Sequence, residues 1–155
     1  MGDLIAIIGA FVVVIATCTA ASAGIMWVQK AAAGVISEEP EKYGKLFALQ
    51  LVPSSSALYG FVVGIVVLMN TVMSSGGGSY VPYTVTQGIL VLLACLPMAI
   101  VGSMQTLFQA RVCVSCVNMV SKNGELSGRA LIMAVFSEIF ALFALVVSIM
   151  SVFYI

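Results

Sequence analysis

Apolar residues run almost unbroken through four stretches of this chain, Leu4 to Gln29, Leu46 to Met73, Val81 to Ala110 and Ala130 to Ile155, with short polar clusters between them. None carries a charge except the last, which holds Glu138 alone. At about 1.5 Å per residue, each is long enough as a helix to cross roughly 30 Å of hydrocarbon. The pattern predicts an all-α membrane protein with four transmembrane helices, and it leaves no segment for a soluble domain. Composition agrees: 62% of the 155 residues are hydrophobic and 8% are charged, a balance that belongs to integral membrane proteins.

The first stretch superficially resembles a cleavable signal, because Ala21, Ser22 and Ala23 look like a processing site. No basic residue precedes its apolar run, however, and Asp3 stands there instead, so helix 1 is expected to be retained. Met1-Gly2-Asp3 begins like a myristoylation signal, but Ala6 occupies the position that needs Ser or Thr.

Charge placement orients the helices. The six basic residues are Lys30, Lys42 and Lys45 around the first connection and Arg111, Lys122 and Arg129 around the third. The positive-inside rule puts both connections in the cytoplasm and both termini on the opposite face. The middle connection contains Ser74, three glycines and Ser79, and it reads as a linker; its glycines lack the Lys-Ser/Thr of a phosphate loop. Apolar character continues past Lys30 to Ile36 and past Arg111 to Val120, so helices 1 and 3 should be longer than their partners, with the basic side chains snorkelling or projecting. Glu38, Glu39, Pro40, Glu41 and Lys42 then form a charged turn, either simply solvated or able to dock a soluble partner.

The halves repeat. Gly44 and Lys45 match Gly128 and Arg129, and the run Ala57 to Ile65 matches Ala141 to Ile149. The chain therefore reads as a duplicated helical hairpin, residues 1–75 and 76–155. In that register Ser54 pairs with Glu138, which gives one ionisable site per four helices. Small residues form a stripe in helix 4 (Ala134, Ser137, Ala141, Ala144, Ser148), and helix 1 has no large side chain from Ala16 to Gly24. Both patterns permit close backbone approach, in a ring of hairpins with helix 1 near its axis or in any compact bundle.

Glu138 is the candidate functional centre, because an ionisable group at membrane depth is expensive and by default marks an ion path. It stands nine residues beyond Arg129, about 13 Å in; Ser55, ten residues beyond Lys45, is about 15 Å in, and Gln109 is about 18 Å from the end of a projecting helix 3. These groups are expected to share one level. Pro53 cannot donate to the carbonyl four residues earlier, so carbonyls near Leu49 and Val52 can turn towards a ligand. A carboxylate, a carboxamide, hydroxyls and a carbonyl form a hard-oxygen set suited to a hard cation. Cys113 and Cys116 have redox or metal spacing but no second pair, and the chain has no histidine; Cys18 and Cys95 read as packing residues.

The blocks Pro40-Glu-Lys-Tyr-Gly, Leu49-Gln-Leu-Val-Pro-Ser-Ser-Ser-Ala-Leu-Tyr-Gly-Phe and Phe108-Gln-Ala-Arg, with a helix 4 glutamate, resemble the duplicated four-helix proteolipid of V-type ATPases, most closely its bacterial rotor-ring form. The resemblance covers nearly the whole chain. It implies a non-catalytic, ion-translocating subunit in a bacterial cell membrane, assembled as a homo-oligomeric ring among lipids. A stator membrane subunit bearing an arginine and a central-stalk subunit on the cytoplasmic loops would be its partners. It also implies Glu138 as the carboxylate that binds one Na⁺ or H⁺, Gln109 as an amide ligand, Ser55 as a hydroxyl ligand and Val52 as a carbonyl ligand. Tyr59 matches a tyrosine that locks the occupied glutamate. Ser56 is counted with the ion-binding residues, although it departs from sodium-binding relatives, which resemble Thr-Gln where this chain has Ser55 and Ser56. No bound nucleotide and no nucleic-acid partner is expected. The alternative is a four-helix, proton-coupled small multidrug antiporter, but the glutamate of those proteins lies in helix 1, where this chain has none.

Overall fold

The computed structural model describes residues 1–72 and 82–155. The glycine-rich middle connection and the boundary between residues 75 and 76 lie outside the described residues. Among the described residues, four spans are long and apolar enough to cross a membrane: Gly2–Glu38, Pro40–Thr71, Val85–Lys122 and Gly124–Tyr154. The apolar extensions past Lys30 and Arg111 are helical, lying within the first span (Gly2–Glu38) and the third (Val85–Lys122).

The first span is one helix, α1 (Gly2–Glu38). The second contains α2 (Tyr43–Leu51) and α3 (Ser55–Val72), divided by a 3₁₀ turn at Val52–Ser54. Pro53 causes this break, since its ring cannot continue the α-helical ladder. The third contains α4 (Val85–Pro97) and α5 (Ser103–Lys122), divided by a π-helical turn at Met98–Gly102. α4 starts only after Thr84, whose hydroxyl accepts the Gln87 N–H while the Gln87 side chain accepts the Thr84 N–H, a reciprocal cap. The fourth contains α6 (Ser127–Phe136) and α7 (Ile139–Tyr154), interrupted at Ser137 and Glu138.

α1 packs against the second and third spans, while α6 and α7 lie against α5, α4 and α3. Small residues set these distances. Gly60 stands directly against Thr17, Gly64 against Val14 and Gly9 against the Leu92 backbone. The small-residue stripe of the fourth span also turns inward: Ala134, Ala141, Ala144 and Ser148 are buried and Ser137 is half-buried. Its other face, including Ile132, Phe136, Phe140, Phe143 and Met150, is exposed and apolar, as a lipid-facing surface must be.

The first connection and the end of the third span share one end of the bundle. Lys42 Nζ donates to Glu39 Oε1 at 2.8 Å and to the Ser121 carbonyl at 2.7 Å, so the first connection meets the end of the third span. At the other end the Tyr83 N–H donates to Asp3 Oδ1 at 3.0 Å. Arg111 stacks over Trp27, its guanidinium carbon 5.9 Å from the ring centroid, with Lys30 lining the same shallow cleft.

The core divides into two apolar clusters, one around Ala6, Val13, Val67, Val91 and Met98, the other around Val28, Leu46, Leu49, Val117 and Ala130. Thr17, Ser56, Gln105, Thr106 and Gln109 are buried in the stretches of chain between them. Polar groups are costly to bury without partners, so a polar layer held between two apolar ones is the place to seek function.

Candidate functional site

The second and fourth spans break at the same place in the repeat. Pro53, in the break of the second span, pairs in that register with Ser137, in the break of the fourth. The second break has no proline. Its hydrogen bonds shorten instead: the Glu138 N–H donates to the Val135 carbonyl at 2.9 Å, and the Ala141 N–H reaches the Glu138 carbonyl at 3.0 Å, each across three residues. Such tightening frees carbonyls of the regular ladder, and at membrane depth they need new partners.

Those partners come from α5. Gln109 Nε2 donates to the Ala134 carbonyl at 3.3 Å, and Gln105 Nε2 donates to the Ser137 carbonyl at 2.7 Å. Ser137 Oγ also returns to the Ala134 carbonyl at 2.9 Å. Because both amides face carbonyls, their nitrogens must be the atoms turned towards the fourth span. Their oxygens, Gln105 Oε1 and Gln109 Oε1, are buried and accept no hydrogen bond from the described residues.

Glu138 is half-buried and faces the second span, where the Tyr59 hydroxyl donates to Glu138 Oε1 at 2.7 Å. This short bond to a carboxylate joins the two hairpins across the membrane interior. Ser55 flanks the same phenol, and its hydroxyl donates to the Val52 carbonyl at 3.0 Å. Two oxygens that the sequence proposes as ligands are thus bonded to each other beside the Pro53 break. Ser54, the counterpart of Glu138 in the repeat, turns back to the Leu51 carbonyl at 2.6 Å.

Ser56 sits elsewhere. It is 1% exposed, and its hydroxyl meets that of Thr106, which also bonds the Gly102 carbonyl at 2.7 Å. Its oxygen therefore serves the packing of the second span on the third. Gln109 does not stand level with Glu138 along the fourth span, because its amide engages Ala134, one turn earlier. Gln105 is the polar residue that the sequence pattern does not single out. The signal that could find it is its position four residues before Gln109, on the same helical face.

The arrangement offers a carboxylate, a phenol that donates to it, a carbonyl and hydroxyl beside a helix break, and two buried amide oxygens without donors among the described residues. All the acceptors are hard oxygens, the chemistry that suits an alkali cation or a proton. The cysteines take no part: Cys113 and Cys116 are free and buried, and Cys116 Sγ donates to the Ala130 carbonyl at 3.3 Å.

Comparison with known proteins accounts for this architecture. Residues 8–67 and 92–151 each match the ATP synthase C-subunit family, and the two matches stand in the register that pairs Ser54 with Glu138. The chain is 31% identical over 129 residues to the V-type sodium ATPase subunit K of Enterococcus hirae, covering 83% of this chain and 78% of that one. It is 26% identical over 118 residues to the A-type ATP synthase subunit K of Methanocaldococcus jannaschii, covering 76% of this chain and 48% of that one. With four membrane-length helices and two family repeats in tandem, the chain belongs to the ATP synthase C-subunit family, as a duplicated, non-catalytic proteolipid of the V- and A-type subunit K kind.

Proposed function

We propose that this chain is the rotor-ring subunit of a V-type ATPase and carries one Na⁺ at Glu138 per subunit during rotation driven by ATP hydrolysis. The observation that carries the reading is the bond from Tyr59 to Glu138 at membrane depth, beside two helix breaks and two buried amide oxygens without donors among the described residues. Val52, Ser55 and Gln109 supply the remaining ligand oxygens, and the name of the Enterococcus hirae relative favours Na⁺.

In this reading the bound cation neutralises Glu138 while it faces lipid, where a bare carboxylate costs a few kcal/mol or more. An arginine of a stator subunit displaces the cation when the site enters an aqueous path, and a central-stalk subunit grips the connections around Lys42 and Lys122. Those connections face the cytoplasm of a bacterial cell, and both termini face outward. Each charge moved costs about 2.3 kcal/mol per 100 mV, so one carboxylate per four helices favours pumping against a steep gradient.

Carbodiimide labelling of the purified ring, read at Glu138 by mass spectrometry, tests the reading. Protection by Na⁺ but not K⁺ is expected. Labelling that ignores Na⁺ and falls only as pH rises would make the occupant a proton, in keeping with the engagement of Ser56 by Thr106. No labelling at Glu138 would remove the assignment.

Tyr59→Phe is expected to raise the Na⁺ concentration for half-protection about tenfold, since a hydrogen bond to a charged group contributes roughly 1.5 kcal/mol or more. The same titration checks it, and an unchanged midpoint would mean that the phenol only packs.

A further inference from the structure

Gln105 is not among the proposed ligands, yet it makes the shorter of the two amide contacts with the fourth span, 2.7 Å against 3.3 Å for Gln109. It is 8% exposed, and its acceptor is the carbonyl beside the break. The Ala141 N–H, which an unbroken α-helix would direct to Ser137, bonds the Glu138 carbonyl instead. Without Gln105 the Ser137 carbonyl would lose this amide partner at a depth where water cannot replace it.

The Ser137 carbonyl and the Glu138 N–H belong to one rigid peptide plane. Gln105 holds the oxygen edge of that plane, and the Val135 carbonyl holds its N–H edge. The Glu138 side chain leaves the backbone immediately after this plane, towards Tyr59. We propose that Gln105 is a positioning residue of the ion site, fixing the Ser137–Glu138 peptide so that the carboxylate meets Tyr59 and its occupant together. The inference rests on the ion-site reading above.

The test uses the ring assembled from the full chain. Gln105→Met keeps the size of the side chain and removes the donor. Gln105→Glu restores a donor only when the introduced acid is protonated. Trypsin cuts at Arg111 and Arg129 separate position 105 from Glu138, so modification of each is read independently. With Gln105→Met, the half-protecting Na⁺ concentration is expected to rise about tenfold, the loss expected for one buried hydrogen bond, and the pH profile of Glu138 labelling is expected to move. Gln105→Glu should approach the unaltered protein at low pH and follow Gln105→Met at high pH.

An unchanged Na⁺ midpoint and pH profile in Gln105→Met would overturn the proposal. If that ring does not assemble, Gln105→Glu decides, and no return towards normal behaviour at low pH is the contrary result. Unaltered protein whose Glu138 does not label would remove the ion-site reading and this inference with it. Intact Na⁺ protection that is indifferent to position 105 removes the inference alone.

Discussion

Glu138→Gln is expected to abolish ATP-driven ion uptake by the complex, by about a hundredfold or more, while the chain still inserts and folds. The substitution is nearly isosteric, and the amide oxygen can still accept the Tyr59 hydroxyl that now donates at 2.7 Å. Packing should survive, and the membrane cost of the position falls because no charge remains. In the proposed function, what disappears is the charge that would attract a cation and later exchange it for another positive group. Exchanging a charged for a neutral acceptor at membrane depth costs on the order of 3 kcal/mol, which is about a hundredfold in occupancy. Ion uptake into vesicles and carbodiimide labelling should be lost together. Near-normal uptake in Glu138→Gln would instead identify a passive or structural role for this position. Glu138→Asp separates charge from reach: it keeps the carboxylate but draws it back by one methylene from Tyr59, so partial uptake with weakened Na⁺ protection is expected.

The features legible in the sequence are those in which residue type alone sets the energetics. A charge within an apolar run is costly wherever the helix turns, so Glu138 stands out without knowledge of its neighbours. Pro53 breaks a helix by its own covalent structure, and the 3₁₀ turn at Val52–Ser54 lies there. The helical continuation beyond Lys30 and Arg111 follows from the apolar residues that succeed them. The break at Ser137–Glu138 is not legible, because Phe136, Ser137, Glu138 and Ile139 include neither proline nor glycine. It is sustained from outside by the amides of Gln105 and Gln109, which are remote in sequence. Counting residues from the membrane ends yields depth but not facing. That count draws Gln109 level with Glu138, and the residue pair cannot show that Ser56 turns to Thr106 while Ser55 turns to Val52. Side-chain partners across helices depend on the rotation of each helix about its axis and on how closely the helices approach, and here a few glycines permit that close approach.

Gly60 is the most constrained of these, and Gly60→Ala is expected to destabilise the assembled protein by about 1–3 kcal/mol or more. A Cβ at Gly60 would run into Thr17 Oγ1 and lie 2.7 Å from Thr17 Cβ, far inside contact distance. Thr17 cannot move aside cheaply. It is 0% exposed, and its hydroxyl donates to the Val13 carbonyl at 2.8 Å, so a new rotamer would leave a buried hydroxyl unpaired. α3 must therefore shift away from α1 to admit even one methyl group. Tyr59 immediately precedes Gly60 on α3, and the shift carries its phenol with the helix, changing its position relative to Glu138. Thermal unfolding of the purified ring should show the loss of stability, and Na⁺ protection of Glu138 should weaken with it. Adding Thr17→Gly to Gly60→Ala removes the opposing side chain and should recover most of both. Recovery of stability without recovery of Na⁺ protection would show that the α1–α3 spacing does not govern the Tyr59 contact; recovery of both makes the glycine contact in α3 the spacer that sets the geometry of the carboxylate site.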